Sequence, residues 1–97
     1  MSVAGTSSHK AAFSPERAWR LNPQVALRDE SFGALAYHYG NRRLVFLKSR
    51  QLVTLVSSLA EYPSASDAIA ACVPEASRPT YEGALARLAA SEVIDAR

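Results

Sequence analysis

A Gly-Asn pair at positions 40 and 41 separates two short runs rich in branched and aromatic residues, and it limits what the chain can fold into more than any other feature. Such a pair suits a two-residue hairpin loop with positive φ at Gly40. A loop of that length pairs Tyr39 with Arg42, and counting back sets Tyr37 opposite Leu44, Ala36 opposite Val45 and Leu35 opposite Phe46. Side chains alternate along a strand, so Leu35, Tyr37, Leu44 and Phe46 share one face, which is the expected core face. The other face carries Ala34, Ala36, His38, Val45 and Leu47, smaller but still largely apolar. A sheet apolar on both sides expects something to cover the second. Arg28-Asp29-Glu30-Ser31 reads as a turn and Gly33 as the start of the next strand, so residues 25–48 form a three-stranded antiparallel meander.

Helices follow the meander. Ser49 can cap a helix bearing Leu52, Val53, Leu55, Val56 and Leu59 on one broad face, and Pro63 stops it. Ser64 with Asp67 resembles a capping box for a short second helix through Ala68, Ile69 and Cys72, ended by Pro74. A third helix starts near Ser77 with Pro79 in its first turn and buries Tyr81, Ala84, Leu85 and Leu88. Gly83 lies inside it and weakens it by about 1 kcal/mol relative to alanine unless another backbone comes close. Val93 and Ile94 either form a short terminal strand or close the core. The fold class is therefore α+β: a three-stranded antiparallel meander followed by three helices, the ingredients of a winged helix-turn-helix with the sheet placed first. Residues 1–17 have no apolar periodicity and are expected to be disordered, whereas residues 18–97 are expected to form a single domain anchored by Trp19.

Composition excludes several classes of function. Nothing approaches the roughly 20 apolar residues of a membrane span, and the first residues lack a secretory signal, so a soluble cytoplasmic protein with no membrane partner is expected. One cysteine, Cys72, and two histidines, His9 and His38, do not make a metal site, and no cofactor is expected. Cys72 reads as a small core residue and His38 as a half-exposed strand residue. The chain has no phosphate-binding glycine loop, nucleophile elbow or paired cysteines, and the adjacent Asp29 and Glu30 read as solvated, so catalysis finds no support. Charge is uneven. Residues 25–50 hold five cations against two carboxylates, and residues 61–97 hold three against six. The third helix has Arg78 and Arg87 against Glu82, too few positive charges for strong phosphate contact. A winged-helix DNA-binding regulator is thus the weaker alternative, and a small subunit dimerising through an apolar sheet face is another.

The run WRLNPQVALRDESFGALAYHYGNRRLVFLKS strongly resembles the peptide-chaperone family of the mycofactocin biosynthetic system, PqqD-like RiPP recognition elements. The resemblance is clearest over residues 17–60, in Val25-Ala26-Leu27-Arg28, Phe32-Gly33-Ala34-Leu35-Ala36-Tyr37-His38, Arg42-Arg43-Leu44 and Phe46-Leu47-Lys48-Ser49. It implies a non-catalytic adaptor that binds the leader of a ribosomally made precursor peptide and presents it to a radical SAM maturase; the charge distribution leaves no role for nucleic acid, and the apolar sheet face leaves a homodimer open. It also implies that the leader adds a strand to the third strand of the meander, in a groove completed by the third helix. The expected peptide-binding residues are Arg42, Arg43, Leu44, Val45, Phe46, Leu47 and Lys48, with Tyr81 at the groove rim and Leu85 behind it, mainly in the core.

Overall fold

A computed structural model describes residues 12–97 of the chain. The sequence forms β1 (Trp19–Leu21), β2 (Val25–Glu30), β3 (Gly33–His38), β4 (Leu44–Leu47), α1 (Arg50–Ser58), α2 (Ala65–Cys72), α3 (Arg78–Ala90) and β5 (Ile94–Ala96), with single 3-10 turns before α2 and α3. The architecture is α+β, a three-stranded antiparallel sheet β2-β3-β4 followed by three helices. A second, two-stranded sheet pairs β1 with β5, so Trp19 lies opposite Ala96 and Leu21 opposite Ile94. Val93 and Ile94 are buried at the same time, so the C-terminal segment both forms a strand and closes the core.

The expected register holds: Tyr37 pairs with Leu44, Ala36 with Val45 and Leu35 with Phe46. The turn that sets it is different. Arg42, not Gly40, takes the left-handed conformation (φ 64°), and residues 39–42 loop between His38 and Arg43, whose carbonyl accepts from the His38 N–H at 2.9 Å. The imidazole explains the longer loop. His38 Nδ1 accepts from Gly40 N–H at 2.9 Å and from Asn41 N–H at 3.1 Å, so the turn is wrapped around a side chain rather than closed by two residues alone. His38 is only 3% exposed, which corrects the expectation of a half-exposed strand histidine.

The core face is also the reverse of the one expected. Ala34, Ala36 and Leu47 are buried with Leu55 and Val56 of α1, whereas Leu44 and Phe46 are each 59% exposed and Leu35 and Tyr37 are half-buried. Pairing of β2 with β3 supplies the reason. Leu27 lies opposite Ala36 and Val25 opposite His38, but Ala26 lies opposite Tyr37 and Arg28 opposite Leu35. The Leu35/Tyr37 side of the sheet therefore carries Arg28, whose charge is left in water, and α1 closes over the methyl-sized residues of β3, which let a helix approach.

Helix boundaries follow local chemistry. Ser49 Oγ accepts from Leu52 N–H and Ser64 Oγ from Asp67 N–H, so each serine satisfies a donor that the first helical turn leaves free. Pro79 sits in the first turn of α3, where its missing N–H costs nothing. Residues 1–11, which make up most of the expected disordered segment, lie outside the described residues. Of the remainder, Phe13 packs against the Trp19 ring, Ser14 carbonyl accepts from Trp19 Nε1, and the carbonyls of Pro15 and Arg17 accept from Ser66 and Ala65 at the start of α2.

Candidate functional site

The sheet has an open margin at β4, because β3 pairs with it on one side and no described strand pairs with it on the other. The direction of its main-chain groups follows from the hydrogen bond between His38 and Arg43. Opposed residues of an antiparallel pair alternate between bonded and non-bonded, so Ala36/Val45 and Ala34/Leu47 are the bonded pairs. Val45 and Leu47 thus turn their N–H and C=O toward β3, and Leu44 and Phe46 turn theirs to the open edge. The opposite margin, β2, is less available. Its outward positions are Val25, Leu27 and Asp29 by the same alternation, and the Val25 N–H is already bound to Asn22 carbonyl.

Beyond the C-terminal end of β4, a cleft of about 160 Å³ opens between the sheet and α3. Lys48 and Ser49 form one wall, Leu52 of α1 is at its side, and Thr80, Tyr81 and Ala84 of α3 face them. Its lining is mostly apolar. Tyr81 Oη and Ser49 Oγ are 3.2 Å apart, so the residue that caps α1 also ties α3 to the end of β4. The cleft is mostly apolar, includes the cationic Lys48 in its lining, and begins where β4 ends, next to an edge whose outward main-chain donors and acceptors belong to Leu44 and Phe46. Such a surface accepts an extended chain.

The nine residues expected to bind peptide divide into three groups. Leu44, Val45, Phe46, Lys48 and Tyr81 line the edge or the cleft. Leu47 and Leu85 have no exposed surface, so their side chains belong to the core, in keeping with the core role expected of Leu85. Arg42 and Arg43 are exposed before β4, Arg42 in the loop and Arg43 at its end, where the Arg43 carbonyl accepts from His38 N–H and the Arg43 N–H is held by Asn41 Oδ1. Four lining residues, Ser49, Leu52, Thr80 and Ala84, lie outside that expected set. Their sequence context places Ser49 and Leu52 at the start of α1, and only the proximity of α3 shows that a helix start is also a cleft wall.

Among the described residues no cluster of three histidine, cysteine or carboxylate side chains could hold a metal ion, and no helix is long and apolar enough to cross a membrane. Cys72 is half-buried at the end of α2.

The profile of the Peptide chaperone MftB family matches residues 18–95. The chain belongs to this family. It is 47% identical over 83 residues to the peptide chaperone MftB of Mycobacterium tuberculosis (strain H37Rv), an alignment covering 84% of this chain and 76% of that protein. It is 45% identical over 92 residues to that of Mycobacterium ulcerans (94% and 84% covered), and 44% identical over 88 residues to that of Mycolicibacterium smegmatis (90% and 86% covered). No solved structure matches the chain. The MftB family match runs from β1 into β5, so it includes the β4 edge, the cleft and most of the two-stranded sheet.

Proposed function

We propose that the chain is a non-catalytic peptide chaperone of mycofactocin-type cofactor biosynthesis, whose residues 18–97 act as one recognition domain in the cytoplasm. It binds the leader of a ribosomally made precursor peptide as an added strand along β4 and presents the rest of that peptide to a radical SAM maturase. The observation that carries this reading is the open β4 edge, with the main-chain groups of Leu44 and Phe46 facing outward and running into the cleft below Tyr81. Strand addition suits an unstructured ligand, because backbone hydrogen bonds hold it without demanding a sequence while side-chain pockets supply selection. Two or three buried side chains at about 1.5–3 kcal/mol each, with net hydrogen bonds near 1 kcal/mol, must offset ordering costs of several kcal/mol. The balance corresponds to a dissociation constant around micromolar, which suits a carrier that hands its cargo on.

DNA binding gains no support from α3. Arg78, one of its two cations, donates from Nε to Val73 carbonyl and from Nη2 to Ala70 carbonyl, closing the end of α2 instead of facing outward.

Amide hydrogen exchange with and without leader peptide tests the proposal. Exchange at Leu44 and Phe46 should slow, while Val45 and Leu47, already bonded to β3, and the β2 amides should change little. Uniform protection of β2 and β4, or none, would contradict it.

A further inference from the structure

The outer side of the sheet, left bare by the helices, is not uniformly apolar. Along its β4 margin stand Leu44 and Phe46, each 59% exposed, with Phe32 (43% exposed) set edge-on to Phe46 at 5.6 Å between ring centroids. Along its β2 margin the same side carries Ala26, Arg28 and Glu30, and the last two form an ion pair at 2.9 Å. The exposed apolar surface is thus a strip beside the open edge, extended at the turn end by Tyr39 (62% exposed), which stands edge-on to Tyr37. A second copy stacked face to face would have to cover the Arg28 margin as well, where the guanidinium side chain is 78% exposed. A single strand laid at the β4 edge would cover the strip alone.

The hydrogen-bond phase makes this geometry specific. Leu44 and Phe46 offer their main-chain groups to the edge and their side chains to the outer face. Residues opposite one another on neighbouring strands point to the same face, whether the strands are parallel or antiparallel. A peptide residue opposite Leu44 or Phe46 therefore projects over the outer strip. Its neighbours in the peptide project to the helical side, where the cleft opens.

We propose that the bound peptide is read on both faces of the strand it adds, one set of alternate side chains entering the cleft side and the other covering the strip formed by Leu44, Phe46 and Phe32. This inference rests on strand addition at β4. It assigns the ligand a chemical class: an extended segment with a continuous run of about four apolar residues, not the alternating apolar and polar pattern that a cleft alone would select. The exposed cations at either end of β4, Arg42, Arg43 and Lys48, favour carboxylates flanking that run.

Fluorescein-labelled acidic peptides with a central four-residue apolar run provide the test, measured against two versions in which serine replaces either alternate set of that run. Both serine versions should bind about tenfold more weakly or worse, since each loses the burial of two side chains. The double variant Leu44→Ser, Phe46→Ser should bind the fully apolar peptide no better than it binds the stronger serine version. Both side chains are largely in water, so circular dichroism and melting of that variant should match the parent. If one serine version binds the parent protein as well as the apolar peptide does, and the double variant binds like the parent, only the cleft reads side chains; the two-faced reading then falls and strand addition stands. If none of the peptides slows exchange at Leu44 and Phe46, strand addition falls and the inference with it. Sedimentation of the peptide-free protein gives the remaining outcome. A dimer that the double variant abolishes, without change in peptide affinity, would assign the strip to a second copy and overturn the inference.

Discussion

At the scale of single residues, backbone conformation decides more than polarity does. Gly33 sits at φ 148°, and a Cβ there would collide with the Leu47 carbonyl oxygen, which is main chain and unable to move aside. Gly33→Ala should therefore destabilise by about 3 kcal/mol or more, read from denaturant unfolding, by combining strain with the loss of close β3-β4 packing. Gly83 is the opposite case. No backbone comes close to it, and its added Cβ would meet only the flexible end of Arg87 at 3.9 Å, so Gly83→Ala should raise stability by up to about 1 kcal/mol in the same measurement. His38→Ala would leave the Gly40 and Asn41 N–H groups without their acceptor at the base of the hairpin loop, and a loss of about 1–3 kcal/mol is expected. An unchanged unfolding midpoint for that variant would mean that water replaces the imidazole without cost.

Among the elements, β4 is where hydrogen-bond phase becomes an experiment. Val45 donates to β3, so Val45→Pro removes a ladder bond and should unfold the sheet, whereas Phe46→Pro removes a donor from the open edge, a position proline tolerates. Phe46→Pro should keep most of the parent's melting temperature and lose peptide binding, by titration calorimetry; retained binding would show that the edge is not the docking site. This phase was only half legible in the sequence. Strand pairing, the order of elements and the caps Ser49 and Ser64 followed from local signals, because turns and helix starts are set by neighbours within a few residues. The covered face did not follow, because Leu35, Tyr37, Leu44 and Phe46 outweigh two alanines and a histidine when a hairpin is judged by hydrophobicity alone. Registering VALRDE against GALAYH would have found it: that pairing puts Arg28 on the Leu35 side and Leu27 on the Ala36 side. The β1-β5 pair and the cleft wall at Leu52 and Thr80 join residues far apart in sequence, and no local pattern announces them.

For the molecule as a whole, charge is arranged so that its basic part frames the open edge. Among the described residues the ion pairs are Arg20 with Asp95, which fastens β1 to β5, and Arg28 with Glu30 on β2. Arg42, Arg43 and Lys48, at the two ends of β4, take part in neither and are exposed, while the helical half carries the carboxylate excess. Together the unpaired cations should attract an acidic peptide before contact and help align it along the edge, an effect that falls off over a Debye length of about 10 Å at 0.1 M salt. Exposed charges contribute only about 0–1 kcal/mol each, so Arg42→Gln, Arg43→Gln and Lys48→Gln should each weaken binding of the acidic apolar-run peptide by no more than a few-fold. Most of that loss should lie in the association rate, because steering acts on encounter and not on the packed complex. Stopped-flow binding at two ionic strengths, with a peptide whose flanking carboxylates are replaced by amides as the comparison, separates the contributions. The acidic peptide should associate more slowly at the higher salt and the amide version should not. Equal rates for the two peptides at both salts would reduce the charge asymmetry to surface solvation and leave recognition to the β4 edge and its apolar neighbours.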